Sequence, residues 1–171
     1  MIPGMQKVKG GTEMFREMRR IGQQLSEEEC LQILETGRRG TLALLGDDAY
    51  PYAVPVNYWY SRKQNCLYFH GAGEGHKVDA IRRCGKASFN VLSEGWQGKD
   101  EWWMQFNSVI VFGRIRIVEE TPVKEKVLRA IGGKYYPDPQ PVENMIQKHL
   151  SHICILELRP EHITGKHVNE K

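Results

Sequence analysis

The chain has 171 residues, of which 40% are hydrophobic and 26% are charged, and its formal net charge at pH 7 is +3. A chain of this length and composition is typical of one globular domain that buries a core without metal or disulfide staples. The small net charge and the lack of a clustered basic stripe argue against nucleic-acid binding, and no apolar run is long enough to span a membrane.

The first predicted element is a helix that follows an N-terminal arm. Residues 1–25 are polar and aperiodic, so we expect them to form that arm. Ser26 is a good helix N-cap, and Glu29, three residues later, completes a capping box. The apolar positions of this helix end near Gly37, where we expect the helix to stop.

Six short strands are then predicted from apolar or alternating stretches that are bounded by turn residues. Pro55 lacks the N–H group that a central strand donates, so the second strand is expected at a sheet edge or at a bulge. The predicted strands are residues 40–45, 52–60, 66–70, 86–92, 107–118 and 153–158.

Helices outside these strands complete the predicted fold, and Thr121 with Pro122 is a typical helix start. Because strands outnumber helices and are mostly joined by turns, we expect a mainly β fold, an antiparallel barrel with flanking helices. We assign residues 26–167 to this domain and residues 168–171 to a polar C-terminal tail. The predicted outer helices are residues 77–84, 123–131 and 142–150.

A glycine-rich stretch at residues 67–77, Leu-Tyr-Phe-His-Gly-Ala-Gly-Glu-Gly-His-Lys, joins a predicted strand to a predicted helix. Its glycines allow close backbone approach, and the helix start offers free N–H groups and the positive end of the helix dipole. Lys77 adds a full positive charge, so the stretch is suited to a phosphate. The spacing G-x-G-x-G excludes a Rossmann dinucleotide fingerprint. From these residues alone, a purely structural turn with an exposed Lys77 remains the alternative.

Neither the histidines nor the cysteines predict a metal site or a nucleophile. His70 and His76 lie six residues apart with no ligand set around them, and His149 and His152 are no better placed. The four cysteines form no C-x-x-C pair, and nothing marks one of them as activated. We therefore expect no bound metal and free thiols in a reducing compartment, the cytoplasm.

Three tryptophans, Trp96, Trp102 and Trp103, fall in the predicted loop between two strands. They can pack on the edge of the core or cover a planar ligand, and the sequence leaves both interpretations open. Because Trp102 and Trp103 are adjacent, they cannot both face the same way, so one of them is available to a ligand.

Six segments in a fixed order carry a family resemblance. They are Gly-Thr-Leu-Ala at 40–43, Tyr-Pro-Tyr-Ala-Val-Pro-Val-Asn-Tyr at 50–58, Leu-Tyr-Phe-His-Gly-Ala at 67–72, Gly-His-Lys-Val-Asp-Ala-Ile at 75–81, Ser-Val-Ile-Val-Phe-Gly at 108–113 and Glu-His-Ile-Thr-Gly-Lys at 161–166. Together they resemble the pyridoxamine 5′-phosphate oxidase-like flavin-binding split barrels, and among these the nitroimidazole-resistance (Nim) proteins. The resemblance spans nearly all of residues 14–167.

The resemblance implies a six-stranded antiparallel split β-barrel with flanking helices, two protomers that pair as a homodimer, and FMN in the groove between them. It assigns Lys77 to the flavin phosphate and Ser108 to a flavin contact in one or the other protomer. The cofactor-binding residues that it implies are Val56, Asn57, Tyr58, Phe69, His70, Gly71, Ala72, His76, Lys77, Ser108 and Val109.

The function that the resemblance implies is an FMN-dependent oxidoreductase, in which NAD(P)H reduces the flavin and a small acceptor such as a nitroaromatic reoxidises it. His70 is the candidate catalytic proton donor, and a hydrogen-bonding wall residue is its alternative role. The alternative functions are a non-catalytic flavin-binding or flavin-buffering protein, a pyridoxamine-phosphate oxidase, and a barrel that holds haem or deazaflavin. No membrane or nucleic-acid partner is expected.

Overall fold

The computed structural model describes residues 15–169, so the first fourteen residues of the predicted arm and the last two of the predicted tail lie outside it. None of the helices formed by residues 15–169 has the length and apolar character that a bilayer span requires. The helices are α1 (Glu27–Thr36), α2 (His76–Arg83), α3 (Thr121–Tyr135) and α4 (Gln140–His149). The strands are β1 (Arg39–Leu45), β2 (Pro51–Asn57), β3 (Trp59–Ser61), β4 (Cys66–Ala72), β5 (Lys86–Leu92), β6 (Trp96–Gln97), β7 (Met104–Val118) and β8 (Ile153–Asn169).

Helix α1 begins where its capping residues predict. The Glu29 N–H donates to Ser26 Oγ at 3.3 Å, and the Glu29 carboxylate accepts the Ser26 N–H at 2.8 Å. These bonds satisfy two backbone donors that the start of a helix otherwise leaves without partners. The helix ends before Gly37, as predicted, and its buried face presents Cys30 and Leu34 to the sheet.

The described strands form one antiparallel sheet in the order β2-β1-β5-β7-β8-β4-β3, with β6 paired to β7. Strands β2 and β3 lie at opposite edges of this order, yet only Tyr58 separates them along the chain. The sheet must therefore curl until its two edges meet. The predicted mainly β split barrel with flanking helices is confirmed, since six of the strands are long and β3 and β6 have only three and two residues. Pro55 lies on the edge strand β2, as its missing donor predicts.

Two predicted strand boundaries are wrong. The last strand does not stop at Leu158 but continues to Asn169, because the 15-residue β7 pairs with it as far as Gln105. The polar residues of this extension show no alternating apolar pattern, so their local pattern predicts no strand there. They form a strand because they pair with β7, which is distant in sequence. The predicted strand 52–60 is two strands, because the chain passes from one sheet edge to the other at Tyr58.

Strand β4 separates two apolar cores, and this explains its continuous buried run. Leu67 and Phe69 point into the barrel core, which also contains residues of β1, β5, β7 and α1. Cys66 and Tyr68 point the other way, into a second core beneath α3 and α4. A strand that is covered on both faces reads as an apolar run without alternation.

The closure of the barrel is held by the end of α3. The Tyr58 N–H donates to the Tyr135 hydroxyl oxygen at 3.0 Å, and that hydroxyl lies within hydrogen-bond distance of the carbonyl oxygens of Tyr58 and Arg38. Beside it, Lys134 Nζ donates to the Gly37 carbonyl at 2.5 Å and lies 4.2 Å from the centre of the Tyr58 ring. Burial, with a smaller effect of the Arg38 charge, lowers the pKa of Lys134 to about 8.

We expect Tyr135→Phe to lower the free energy of unfolding by about 1–3 kcal/mol, because it leaves the Tyr58 N–H without a partner in a buried place. Urea denaturation followed by circular dichroism measures the change. Tyr136→Phe is the matched control, since the Tyr136 side chain is 62% exposed and its loss of a hydroxyl should change stability by less than about 0.5 kcal/mol. Equal stability of the two variants would contradict the closing role of Tyr135.

Candidate functional site

A groove of about 480 Å³ lies where the edge strand β2 meets the end of β4 and the start of α2. Two of the side chains that line it are cations, and among its described lining residues there is no carboxylate. Such a groove attracts an anionic ligand. The lining residues are Arg39, Val54, Pro55, Val56, Asn57, His70 and Lys77.

The first cation is placed by the β1–β2 hairpin. In the hairpin register, Arg39 pairs with Asn57 at the end farthest from the turn. Arg39 Nε donates to Asn57 Oδ1 at 3.3 Å, so the guanidinium stays over the groove wall. The remaining guanidinium N–H groups are donors for a phosphate or another anion.

The second cation is placed by the junction between β4 and α2. Gly75 precedes the helix with φ 101°, a conformation that suits only glycine, and its carbonyl accepts the N–H groups of Val78 and Asp79. The N–H groups before Val78 have no partner inside the helix and lie at its positive end. A Cβ atom on Gly71 would come within 2.9 Å of Lys77 Nζ, so the ammonium lies directly beside the backbone of Gly71.

His70 borders the groove at the end of β4. Desolvation first, and then the positive charge of Lys77, holds the pKa of His70 below its ordinary value of 6.5. The imidazole is therefore neutral at pH 7, with one ring nitrogen as donor and the other as acceptor. It is also exposed to solvent, so a proton that it gives up is replaced from water.

The structure brings four of the sequence-predicted cofactor residues to the groove, namely Val56, Asn57, His70 and Lys77. Gly71 lies beneath Lys77.

Three predicted residues, Tyr58, Phe69 and Val109, are fully buried in the barrel core and support the groove from behind. Ala72 lines a different cavity, between the end of β4 and the helices α3 and α4.

Two predicted residues lie away from the groove of their own protomer. The His76 ring stacks on Tyr52 with ring centres 4.0 Å apart, and its Nε2 lies 3.6 Å from the Asp47 carboxylate, so it faces the β1–β2 turn. Ser108 pairs with Leu92 on β5 and with Lys166 on β8, and it does not line the groove.

Sequence reasoning missed three groove residues, Val54, Pro55 and Arg39, and of these Arg39 carries a charge. A signal for it was present. The predicted strands 40–45 and 52–60 flank a turn at Gly46, and counting outward from that turn places residue 39 opposite residue 57. The register of the hairpin therefore brings a cation to the predicted ligand strand.

Among the described residues, no group of three or more His, Cys, Asp or Glu side chains is arranged to hold a metal ion. The cysteines at 30, 66, 84 and 154 are all free thiols. Burial raises the pKa of the thiols of Cys30, Cys66 and Cys154, so these side chains are inert thiols at neutral pH.

Comparison with known families assigns the chain to a family. The model of the pyridoxamine 5′-phosphate oxidase family matches residues 26–167. The protein belongs to this family, in agreement with the resemblance of its sequence motifs and with its split-barrel fold. No match was found among curated proteins.

Solved structures with the same fold come from several bacteria. A candidate 5-nitroimidazole antibiotic resistance protein from Bacteroides thetaiotaomicron is 18% identical, with a TM-score of 0.69 over 83% of this chain and 84% of that one. An FAD-binding protein from Mesorhizobium loti is 24% identical, with a TM-score of 0.61 over 85% of this chain and 97% of that one. An FAD- and haem-binding protein from Mycobacterium smegmatis is 19% identical, with a TM-score of 0.69 over 87% of this chain and 74% of that one. At these identities the likeness concerns the fold.

Lys77→Met is expected to raise the pKa of His70, because removing a nearby positive charge makes the imidazolium ion easier to form. The pKa should remain below 6.5, since the desolvation persists. A titration of the histidine ring protons by NMR measures the shift. Lys86→Met, at the exposed start of β5, is the control and should leave the titration unchanged. An unchanged His70 titration in Lys77→Met would show that the ammonium does not act on this imidazole.

Proposed function

We propose that this protein is an FMN-binding homodimeric reductase, which uses NAD(P)H to reduce a small acceptor such as a nitroaromatic. The observation that carries the proposal is the groove in which Arg39 and Lys77 lie on either side of His70 and Asn57. The phosphate of FMN is a dianion near neutral pH, so two cations and a helix start match its charge. The family and the FAD-binding proteins that share the fold support a flavin cofactor.

The residues present fit FMN in three ways. Lys77, Arg39 and the N–H groups at the start of α2 would hold the phosphate. Val54 and Val56 present an apolar wall to a planar ring, and the Asn57 amide offers hydrogen bonds to its polar edge.

We favour FMN over FAD, because apart from His70 the described lining of the groove has no aromatic side chain on which an adenine would stack. Release of the bound flavin by heat and its chromatography beside both standards distinguish the two cofactors.

Bound FMN would supply a two-electron carrier, while the protein supplies position and protons. Reduction of a nitro group to a nitroso group takes two electrons and two protons and releases one water molecule. The neutral His70 imidazole can act as a proton relay, because its acceptor nitrogen takes a proton from solvent as its N–H passes a proton to the edge of the groove. Arg39 and Lys77 hold the cofactor and take no part in this proton transfer.

A non-catalytic flavin carrier is the second candidate. It is favoured by the small number of titratable groups in the groove, among which His70 is the one whose ordinary pKa lies close to neutrality. Turnover decides between them. NADPH should bleach the flavin absorbance of the reductase, and a nitro compound should restore it over repeated cycles. A protein that binds FMN but passes no electrons would be the carrier.

The outer face of the β5–β7 side supports the proposed dimer. Several large apolar side chains on it or at its rim are at least 36% exposed in the described chain, and interfaces of stable dimers are built from such patches. Ser108 lies on the same face of β7 as Ile110 and Phe112, so a partner protomer packed here would contact it. The exposed residues are Leu92, Trp96, Trp102, Met104, Ile110 and Phe112.

Lys77→Ala and Arg39→Gln should each weaken FMN binding roughly tenfold to a hundredfold. Each variant removes a charge-assisted hydrogen bond to the phosphate, which is worth about 1.5–3 kcal/mol. Quenching of flavin fluorescence during titration measures the dissociation constant. Arg38→Gln is the matched control, since Arg38 is adjacent, equally charged and directed at the Tyr135 ring, and it should bind FMN as the wild type does.

Unchanged FMN affinity in folded Lys77→Ala and Arg39→Gln proteins would place the phosphate elsewhere and return the glycine-rich stretch to a purely structural role. Loss of affinity in Arg38→Gln as well would indicate a general charge effect in place of a built site.

Multi-angle light scattering should give the mass of a dimer, and Leu92→Arg should shift it toward a monomer, since it places a charge in the proposed interface. Because Leu92 is 55% exposed, this change should not disturb the fold of the protomer. Tyr50→Arg, an exposed aromatic at the β1–β2 turn, is the control and should remain dimeric. A wild-type monomer that binds FMN would overturn the shared groove.

A further inference from the structure

A second cavity, also of about 480 Å³, lies between α3, α4 and the end of β4. It is separate from the cationic groove, but His70 lines both of them. Its volume falls within the range of roughly 300–1,000 Å³ that is typical of small-molecule sites. The proposed cofactor does not need this space.

The floor of the cavity is apolar and well ordered by helix packing. Leu128, Ile131 and Val142 line it and are all buried in the second core. Gly132 sets the distance between the helices, because a Cβ atom there would come within 2.6 Å of a Val142 methyl group. The close approach of α4 to α3 at this point closes the cavity on one side.

The rim of the cavity is polar. Its polar groups are the imidazoles of His70, His149 and His152 and the hydroxyl of Tyr136. Among the described residues that line the cavity, none is a lysine, arginine, aspartate or glutamate. A charged ligand would lose hydration here without gaining an ionic partner, whereas an uncharged ring with hydrogen-bonding substituents would meet both an apolar floor and polar edges.

We propose that this cavity binds a small uncharged aromatic compound, and that this compound is the electron acceptor of the proposed reductase. The acceptor role rests on the proposed function. His70 connects the two sites, because it lines both the cationic groove and the cavity. The reaction is the one balanced above, with two electrons and two protons taken up by a nitro group and one water molecule released.

Ligand charge gives the first test. Calorimetric titration of the purified protein with 4-nitrobenzyl alcohol, 4-nitrobenzoate and 4-nitrobenzylammonium compares a neutral, an anionic and a cationic probe of nearly one shape. The neutral probe should bind at least tenfold more tightly than either ion. Equal affinity of the three probes, or preference for an ion, would overturn the proposal.

Filling the cavity gives the second test. Met145 lines the cavity and is half-buried, so Met145→Trp should weaken binding of the neutral probe at least tenfold and leave the FMN affinity unchanged. Gln147→Trp is the matched control, because Gln147 is exposed on the same helix and does not line the cavity. Binding by folded Met145→Trp that equals that of the wild type would overturn the proposal.

Tyr136→Ala is a second variant that does not depend on the core tolerating tryptophan, since Tyr136 is exposed and its backbone N–H bond to Gly132 is retained. It should weaken binding of the neutral probe severalfold, and an unchanged affinity for that probe would count against the site. FMN titration separates the two hypotheses. FMN binding without probe binding would refute the cavity site alone, and probe binding by a protein that takes no flavin would refute the cofactor and the acceptor role alone.

Discussion

The hydrogen bonds between Tyr135 and the backbone of Tyr58 are the contacts on which the geometry of the molecule depends. Tyr58 is the single residue between the two edge strands β2 and β3, and it must cross from one edge of the sheet to the other. Its backbone N–H cannot pair with a strand there, so the phenol at the end of α3 takes that place. The same crossing brings Val56 and Asn57 beside the end of β4, and without it Arg39 and Lys77 would not face a common groove.

Lys77 links the charge of the groove to the protonation of His70. Lys77 gives the groove its attraction for an anion and at the same time lowers the pKa of His70. An anion bound to Lys77 offsets that charge, so binding of a phosphate raises the pKa of His70 toward its ordinary value. By linkage, protonation of His70 must then strengthen phosphate binding by the same factor. Cofactor binding and proton supply are therefore coupled through a single side-chain contact.

Local signals in the sequence were enough to predict the helices and strands but not the long-range contacts between them. Ser26 and Glu29 define the start of α1, and the residues before Lys77 define the strand–glycine–helix junction, because both depend on neighbours along the chain. The extension of β8 beyond Leu158 and the burial of Tyr58 depend on strands far away in sequence, so polarity and alternation misled the interpretation. Arg39 is intermediate between local and long-range cases, because the register of the β1–β2 hairpin is what places it opposite Asn57. The cavity behind His70 depends on the packing of Gly132 on α3 against Val142 on α4. A contact between two helices cannot be predicted from the residue pattern of either helix alone.

His70 occupies a position that suits a neutral imidazole and would penalise a charged one. An imidazolium ion would face Lys77 across the groove and an uncharged, largely apolar cavity on its other side, and both would raise its free energy. The neutral ring keeps one N–H donor for a ligand in either direction and one acceptor nitrogen for a proton from solvent. The desolvation that lowers its pKa therefore has a chemical consequence, because the ring stays neutral and can take a proton from solvent on one nitrogen while the other nitrogen passes its proton to a developing anion. His70 therefore lies between a cationic groove and a largely apolar cavity, and it can border both because its imidazole is neutral.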